Sequence, residues 1–154
     1  MDEIRRLLAK AERVESLSAQ IYRLLASVFS EGAIAWNIYQ RLAKEEDEHA
    51  QRIRLLADRI EARPYLPELR VDPAGLDALI AEAESLLRTL QEDGAALSAE
   101  DGRRFVVALE RNFGAVHAHA LVAGDPELET FFAELAFQDQ MHLDVLERLG
   151  GGPS

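Results

Sequence analysis

Two carboxylate-x-x-His patterns constrain the fold of this chain more than any other feature. They are Glu46-Asp47-Glu48-His49 and Asp139-Gln140-Met141-His142. Each lies in an amphipathic stretch whose apolar residues recur at spacings of three and four, which predicts a helix. Positions i and i+3 share one face of a helix, so each pattern presents a carboxylate and an imidazole to the same side.

Each pattern is matched by a glutamate on the other side of a turn signal. Glu15 and Glu46 lie equally far from the Ser-Glu-Gly signal between them, and Glu110 and Asp139 lie equally far from a Gly-Asp-Pro signal. In an antiparallel helical hairpin, residues at equal distances from the turn lie at one height, here roughly 22–23 Å from it at about 1.5 Å per residue. Two such hairpins in one bundle would bring four carboxylates and two imidazoles into one layer.

Apolar periodicity predicts five helices in a single domain that covers 1–154. The predicted helices are 2–29, 32–62, 74–92, 98–123 and 126–149. Hairpin one is then 2–62, the crossover 63–97, hairpin two 98–149 and a flexible tail 150–154. The expected fold class is all-α, a four-helix bundle of two antiparallel hairpins with a long, partly helical crossover.

Local signals support these limits. Asp72 and Asp125 each precede a proline, the arrangement expected where a helix begins. Ser98 is followed three residues later by Asp101, which is close to a capping box. The proline-rich stretch 64–72 is expected to be a loop.

Composition excludes several classes of function. The net charge of -11 argues against nucleic acid or an anionic membrane surface as a partner. The absence of cysteine excludes disulfides, thiolate catalysis and cysteine-held iron–sulfur clusters. No run of about 18 apolar residues occurs, and the N-terminal stretch is a charged amphipathic helix, so a cytoplasmic location is expected by default.

Carboxylates and imidazoles in apolar stripes require an explanation, because a buried ionised carboxylate costs several kcal/mol unless it is paired or bound to metal. No Lys or Arg is expected on these faces at that height. Four carboxylates balance the charge of two divalent cations, and a donor set of carboxylates and imidazoles suits iron or manganese. Glu45 precedes the first pattern and Glu48 lies within it, and both are expected to face solvent.

The arrangement resembles the ferritin-like superfamily and, within it, the rubrerythrin-like branch. The stretch Ala43-Lys44-Glu45-Glu46-Asp47-Glu48-His49-Ala50 carries the most specific part of the resemblance. The resemblance implies a di-iron centre, with manganese or zinc as alternatives. The ligands that it implies are Glu15, Glu46, His49, Glu110, Asp139 and His142. Tyr22 fits a family tyrosine that hydrogen-bonds near the metals, and His117 stands at the mirror position as a supporting donor or an extra ligand.

Three departures from the family pattern change the expected activity. Asp139 is shorter than the usual Glu by one methylene, which weakens or opens that half of the site. Phe113 stands where rubrerythrins carry a further Glu, which disfavours a rubrerythrin-type peroxidase. The absence of cysteine excludes a rubredoxin module, so reducing electrons would have to come from another protein.

The resemblance implies a protein that binds two ferrous ions and reacts with O2 or H2O2, as a ferroxidase, oxidase or peroxidase. One alternative is an iron-binding or iron-delivery protein without turnover, and another is a structural helical bundle whose polar residues are satisfied by hydrogen bonds. A homodimer is expected, and in one alternative each hairpin completes its bundle with a second chain.

Overall fold

The computed structural model describes residues 2–29, 32–60, 67–70, 73–94, 98–117 and 122–150. Over these ranges the chain is helical apart from two short strands. The helices are α1 (Asp2–Ser27), α2 (Ile34–Arg59), α3 (Pro73–Asp93), α4 (Ala99–His117) and α5 (Pro126–Gly150), and the strands are β1 (Glu68–Leu69) and β2 (Val122–Ala123). The expectation of an all-α chain is confirmed. No helix among the described residues is long and apolar enough to cross a membrane.

The structure corrects the predicted end of α4. This helix ends at His117, whereas the apolar pattern predicts that it continues to 123. Part of that stretch instead forms β2, which pairs antiparallel with β1, Glu68 opposite Ala123. The ladder satisfies backbone groups of two connecting segments. It also places a short strand inside the stretch 64–72 that was expected to be a loop.

The other helix limits lie within about three residues of the predicted ones, as is usual for frayed ends. Helix α5 includes Gly150, one residue beyond its predicted end. The rest of the predicted tail, 151–154, lies outside the described residues, as do Ser30, Glu31 and Asp72 of the predicted turn and helix-start signals.

Side-chain contacts show that α1 and α2 run antiparallel. Far from the turn, Arg54 on α2 forms an ion pair with Glu12 on α1. Close to the turn, the ring of Phe29 stacks on Tyr39 of α2 at 5.6 Å between centroids. Contacting residues on the two helices thus lie at similar distances from the turn, as an antiparallel hairpin requires.

The second hairpin, α4 with α5, shows the same order of contacts. Nδ1 of His117 lies 2.7 Å from Oδ2 of Asp139, and Arg111, earlier in α4, pairs with Glu147, later in α5, at 2.6 Å. Gly124 adopts a φ of +78° in the connection, a left-handed conformation that glycine reaches without strain.

Helix α3 returns the chain along the length of α1. Lys10 pairs with Asp77 at 2.7 Å, and Arg13 pairs with Glu84 at 3.1 Å, so the two helices run parallel. Since α1 runs opposite to α2, α3 carries the chain back to the end of the molecule where α2 begins. Helix α4 then starts at that end, where Gly102 packs close to Leu25 of α1.

The core consists mainly of aliphatic side chains from all five helices. The largest fully buried side chains are Tyr22, Tyr39, Phe132, Leu7, Leu8, Leu17, Ile21, Leu42, Ile53, Ile60 and Leu76. Burying one such side chain contributes about 1.5–3 kcal/mol to stability. Polar and charged residues also lie buried in the molecule: Glu15, Ser18, Glu46, His49, Glu110, His117, Asp125, Asp139 and His142.

Side-chain caps begin two of the helices as predicted. Oγ of Ser98 accepts a hydrogen bond from the backbone N–H of Asp101 at 3.1 Å and donates one to its carboxylate at 2.6 Å. Oδ1 of Asp125 accepts from the backbone N–H groups of Glu127 at 3.0 Å and Leu128 at 3.2 Å. These bonds satisfy amides that have no partner within their own helix.

Asp125→Ala is expected to destabilise the protein by about 1 kcal/mol, the usual loss on removing a helix cap. The measurement is urea unfolding followed by circular dichroism. Asp144→Ala is the matched control, because Asp144 is an exposed aspartate of the same helix and, within the described ranges, its carboxylate bonds only to the Gln140 side chain. Equal stability of both variants would show that the Asp125 cap contributes nothing measurable.

Candidate metal centre

The first cluster of buried metal-ligating side chains joins α1 and α2. Glu15, Glu46 and His49 each offer a ligand atom, and these atoms lie within 4.8 Å of one another. Nδ1 of His49 is 3.2 Å from Oε2 of Glu15 and 3.1 Å from Oε2 of Glu46. The spacing of three residues in α2 places Glu46 and His49 on one face, and the antiparallel hairpin brings Glu15 to the same height.

The second cluster joins α2, α4 and α5. It consists of Glu46, Glu110 and His142, again with ligand atoms within 4.8 Å of one another. Nδ1 of His142 lies 2.9 Å from Oε1 of Glu46 and 3.8 Å from Oε1 of Glu110. Among the described residues, Glu46 alone belongs to both clusters, and its two oxygens face the two histidines separately. A carboxylate in this position can bridge two cations.

Asp139 is buried at the same height but belongs to neither cluster. Its Oδ2 lies 2.7 Å from Nδ1 of His117, and both side chains are almost fully buried. Nε2 of His117 in turn lies 3.7 Å from Oε1 of Glu15. The second cluster thus contains Glu46 from α2 in the place that the sequence symmetry gives to Asp139.

Two further side chains hold members of the second cluster. The Tyr22 hydroxyl donates a hydrogen bond to Oε1 of Glu110, consistent with the supporting role expected for this tyrosine. Nε2 of His142 lies 2.9 Å from Oε2 of Glu45, a residue that the sequence analysis assigns to solvent. Glu45 and His142 are 97 positions apart and belong to different predicted hairpins, so no spacing in the sequence indicates their contact.

Protein cations do not balance the charge of these carboxylates. Within the described part of the chain, Glu15, Glu46, Glu110 and Asp139 form ion pairs with histidines and with no Lys or Arg. Three buried atoms of the cluster residues also form no hydrogen bond within the described ranges: Glu15 Oε1, Glu110 Oε2 and His142 Nδ1. Buried polar atoms without hydrogen bonds are costly, and three of them among the residues of two adjoining clusters are what a missing ligand would leave.

The pKa values show how the metal-free site keeps its charge. Burial, together with the charge of Glu46, raises the pKa of Glu15 to about 7. Burial lowers the pKa of His49, but hydrogen bonds to Glu15 and Glu46 outweigh it and raise that pKa to about 10. Burial also lowers the pKa of His142, but the nearby carboxylates of Glu110 and Glu46 outweigh it and raise that pKa to about 11. Without metal, protons on the imidazoles supply the positive charge.

The donor atoms fit a divalent cation of the first transition row. Carboxylate oxygen and imidazole nitrogen are ligands for iron, manganese and zinc alike. The three atoms without a hydrogen bond are two carboxylate oxygens and the Nδ1 of His142, which has a lone pair when it carries no proton. All three are atoms that ligate metals. The buried Glu and His clusters could therefore hold metal, although the donors do not select one ion.

A cavity of about 260 Å³ between α2 and α5 reaches the two site histidines. Its lining consists of Glu45, Glu48, His49, Arg52, Gln138, Met141 and His142. Two carboxylates and one guanidinium lie around it, beside His49 and His142.

Comparisons with known proteins found no match among protein-family models, curated proteins or solved structures. The structure does bring together five of the six residues that the resemblance implies as ligands. The sixth, Asp139, lies beside them and contacts His117. The geometry of this site carries the functional argument.

Proposed function

We propose that this chain is a ferritin-like, non-haem dinuclear metal protein that binds two ferrous ions and oxidises them with O2 or peroxide. The observation that carries the proposal is the position of Glu46, with one oxygen toward His49 and the other toward His142. The two oxygens of one carboxylate then belong to two adjacent half-sites, which is the requirement for a dinuclear centre.

The path of the chain supports the ferritin-like part of the proposal. Helices α1, α2, α4 and α5 supply all the site residues, and their contacts give two antiparallel hairpins. Helix α3 supplies none of these residues and returns the chain between the hairpins. This is the plan of a four-helix bundle with one long crossover, in which acidic and histidine ligands project into the bundle interior.

The side chains divide into two half-sites around the shared carboxylate. Glu15 and His49 would hold one ion, Glu110 and His142 would hold the other, and Glu46 would bridge them. Iron bound there supplies the one-electron steps that reduce O2 or peroxide. The protein fixes the distance between the half-sites, holds Glu110 through the Tyr22 hydroxyl and surrounds the centre with aliphatic side chains.

Phe113 favours ferrous oxidation or oxygen scavenging over efficient peroxide turnover. It is buried on α4, one turn after Glu110, where rubrerythrins carry a further Glu. A phenyl ring cannot ligate a metal, so position 113 offers the Glu110 half-site no alternative carboxylate. The same feature supports a second candidate function, an iron-binding or iron-delivery protein without turnover.

An anaerobic ferrous titration of the metal-free protein tests the dinuclear site. Saturation near two irons per chain is expected, followed on exposure to air by ferric absorbance in the near ultraviolet. Saturation at one iron would contradict the dinuclear assignment, and no binding would leave a structural bundle. Steady-state consumption of O2 or peroxide with added reductant separates an enzyme from the binding protein, which would oxidise its bound iron only once.

A further inference from the structure

The two ring nitrogens of His142 face different surroundings. Nδ1 points into the site, 2.9 Å from Oε1 of Glu46, without forming a hydrogen bond. Nε2 points away from it and lies 2.9 Å from Oε2 of Glu45. The Glu45 side chain is 39% exposed at the rim of the cavity between α2 and α5, whereas that of His142 is 4% exposed.

His49 has no comparable outer partner. Its Nδ1 meets Glu15 and Glu46, and its Nε2 forms no hydrogen bond within the described part of the chain. The rings of His49 and His142 are nearly parallel, at 15°, with 6.0 Å between centroids. Two similarly placed imidazoles thus differ in one respect, because only one of them has a carboxylate behind it.

We propose that Glu45 is a positioning residue, which holds the His142 ring so that Nδ1 is directed at the metal of the Glu46–Glu110 half-site. The inference rests on the dinuclear function proposed above. By accepting a hydrogen bond from Nε2–H, Glu45 fixes the proton on that nitrogen and leaves the Nδ1 lone pair for the metal. A carboxylate behind a ligating imidazole also makes the ring a stronger donor.

The neighbouring residue Glu48 offers a matched control. Both glutamates line the same cavity, and each forms an i,i+4 pair of 3.6 Å within α2, Glu45 with Arg41 and Glu48 with Lys44. Glu48 differs in that its side chain forms no hydrogen bond or ion pair with a histidine of the described ranges. If variants of Glu45 and Glu48 changed metal affinity equally, the loss of surface charge would be the cause. A change in metal affinity confined to the Glu45 variant would instead show that Glu45 acts on His142.

The test is Zn²⁺ titration by calorimetry of Glu45→Leu, Glu45→Gln and Glu48→Leu beside the unaltered protein. Glu45→Leu is expected to weaken binding of one of the two ions by about 10- to 100-fold. Glu45→Gln should restore most of the affinity, because its amide oxygen can still accept from Nε2–H. Glu48→Leu should behave as the unaltered protein does. Thermal unfolding of the metal-free variants checks that each is folded.

A double-mutant cycle with His142→Gln shows whether Glu45 acts through the imidazole. In the His142→Gln background, Glu45→Leu should have no further effect on Zn²⁺ affinity. Two tight ions in Glu45→Leu, or equal losses in Glu45→Leu and Glu48→Leu, would overturn the positioning role while leaving the dinuclear site intact. Failure of the unaltered protein to bind two ions would instead overturn the proposed function itself.

Discussion

Glu46→Ala is expected to abolish binding of both metal ions. Glu46 is the shared member of the two clusters, so its loss removes one carboxylate oxygen from each half-site. The metal-free protein should also lose about 3–5 kcal/mol of stability, because His49 and His142 lose a buried counter-charge. Ferrous or zinc titration gives the stoichiometry, and urea unfolding of the metal-free variant gives the stability.

Two further variants show whether loss of both ions is specific to Glu46. Glu48→Ala changes an exposed glutamate two positions away and should bind two ions. Glu15→Ala removes a carboxylate of the first cluster alone and is expected to retain one ion. If Glu46→Ala still bound two ions tightly, the bridging position of Glu46 would be irrelevant and the dinuclear interpretation would fail.

The metal-free protein is expected to lose stability steeply as the pH rises from 7 to 9. The pKa values of His49 and His142 rise from 6.5 to about 10 and about 11 on folding, and a hydrogen bond to Asp139 outweighs burial and raises the pKa of His117. The folded chain therefore keeps protons on these imidazoles that the unfolded chain releases. Each contributes stability that is fully present below pH 6.5 and lost as the pH approaches the folded pKa. The slope is about 1.4 kcal/mol per pH unit for each proton.

Bound metal should flatten this pH dependence, because the cation replaces the protons as counter-charge. Urea unfolding at several pH values, with and without saturating Zn²⁺, measures both slopes. His142→Gln should remove the part of the slope that one proton contributes, about 1.4 kcal/mol per pH unit. A metal-free stability that stays constant from pH 7 to 9 would mean that the imidazoles are not protonated, and the charge balance described above would be wrong.

The sequence predicted the first cluster well because its geometry is local. Glu46 and His49 are three residues apart on one helix, and a short turn fixes the height at which Glu15 faces them. A helical hairpin with a short connection has few ways to align its helices, so counting residues from the turn was sufficient. The same reasoning predicted the antiparallel arrangement of α4 and α5.

Counting residues from a turn could not predict which carboxylate contacts which histidine in the second cluster. The symmetry of the two patterns suggested that His142 would pair with Asp139, but Glu46 lies near His142 and Asp139 contacts His117. Asp139 has a short side chain, and the imidazole of His117 lies on the facing helix. Which carboxylate contacts which imidazole depends on how far apart the four helices pack.

The predicted end of α4 was wrong for a related reason. Apolar residues continue past His117, so periodicity extended the helix, but part of that stretch pairs with β1. Strand pairing joins segments that are far apart in the chain, and a local pattern carries no information about it. The contact of Glu45 with His142 was not predicted for the same reason, since it exists only when the two hairpins pack together.

By itself, the sequence determined the helices, their pairing into hairpins and the set of acidic and histidine residues at one height. These features follow from helical periodicity and from distances along the chain, which any reader of the sequence can count. The tertiary structure alone decided that Glu46 lies between two histidines, that Asp139 pairs with His117 and that Glu45 contacts His142. The distances between the packed helices set those contacts, and they cannot be measured along a sequence.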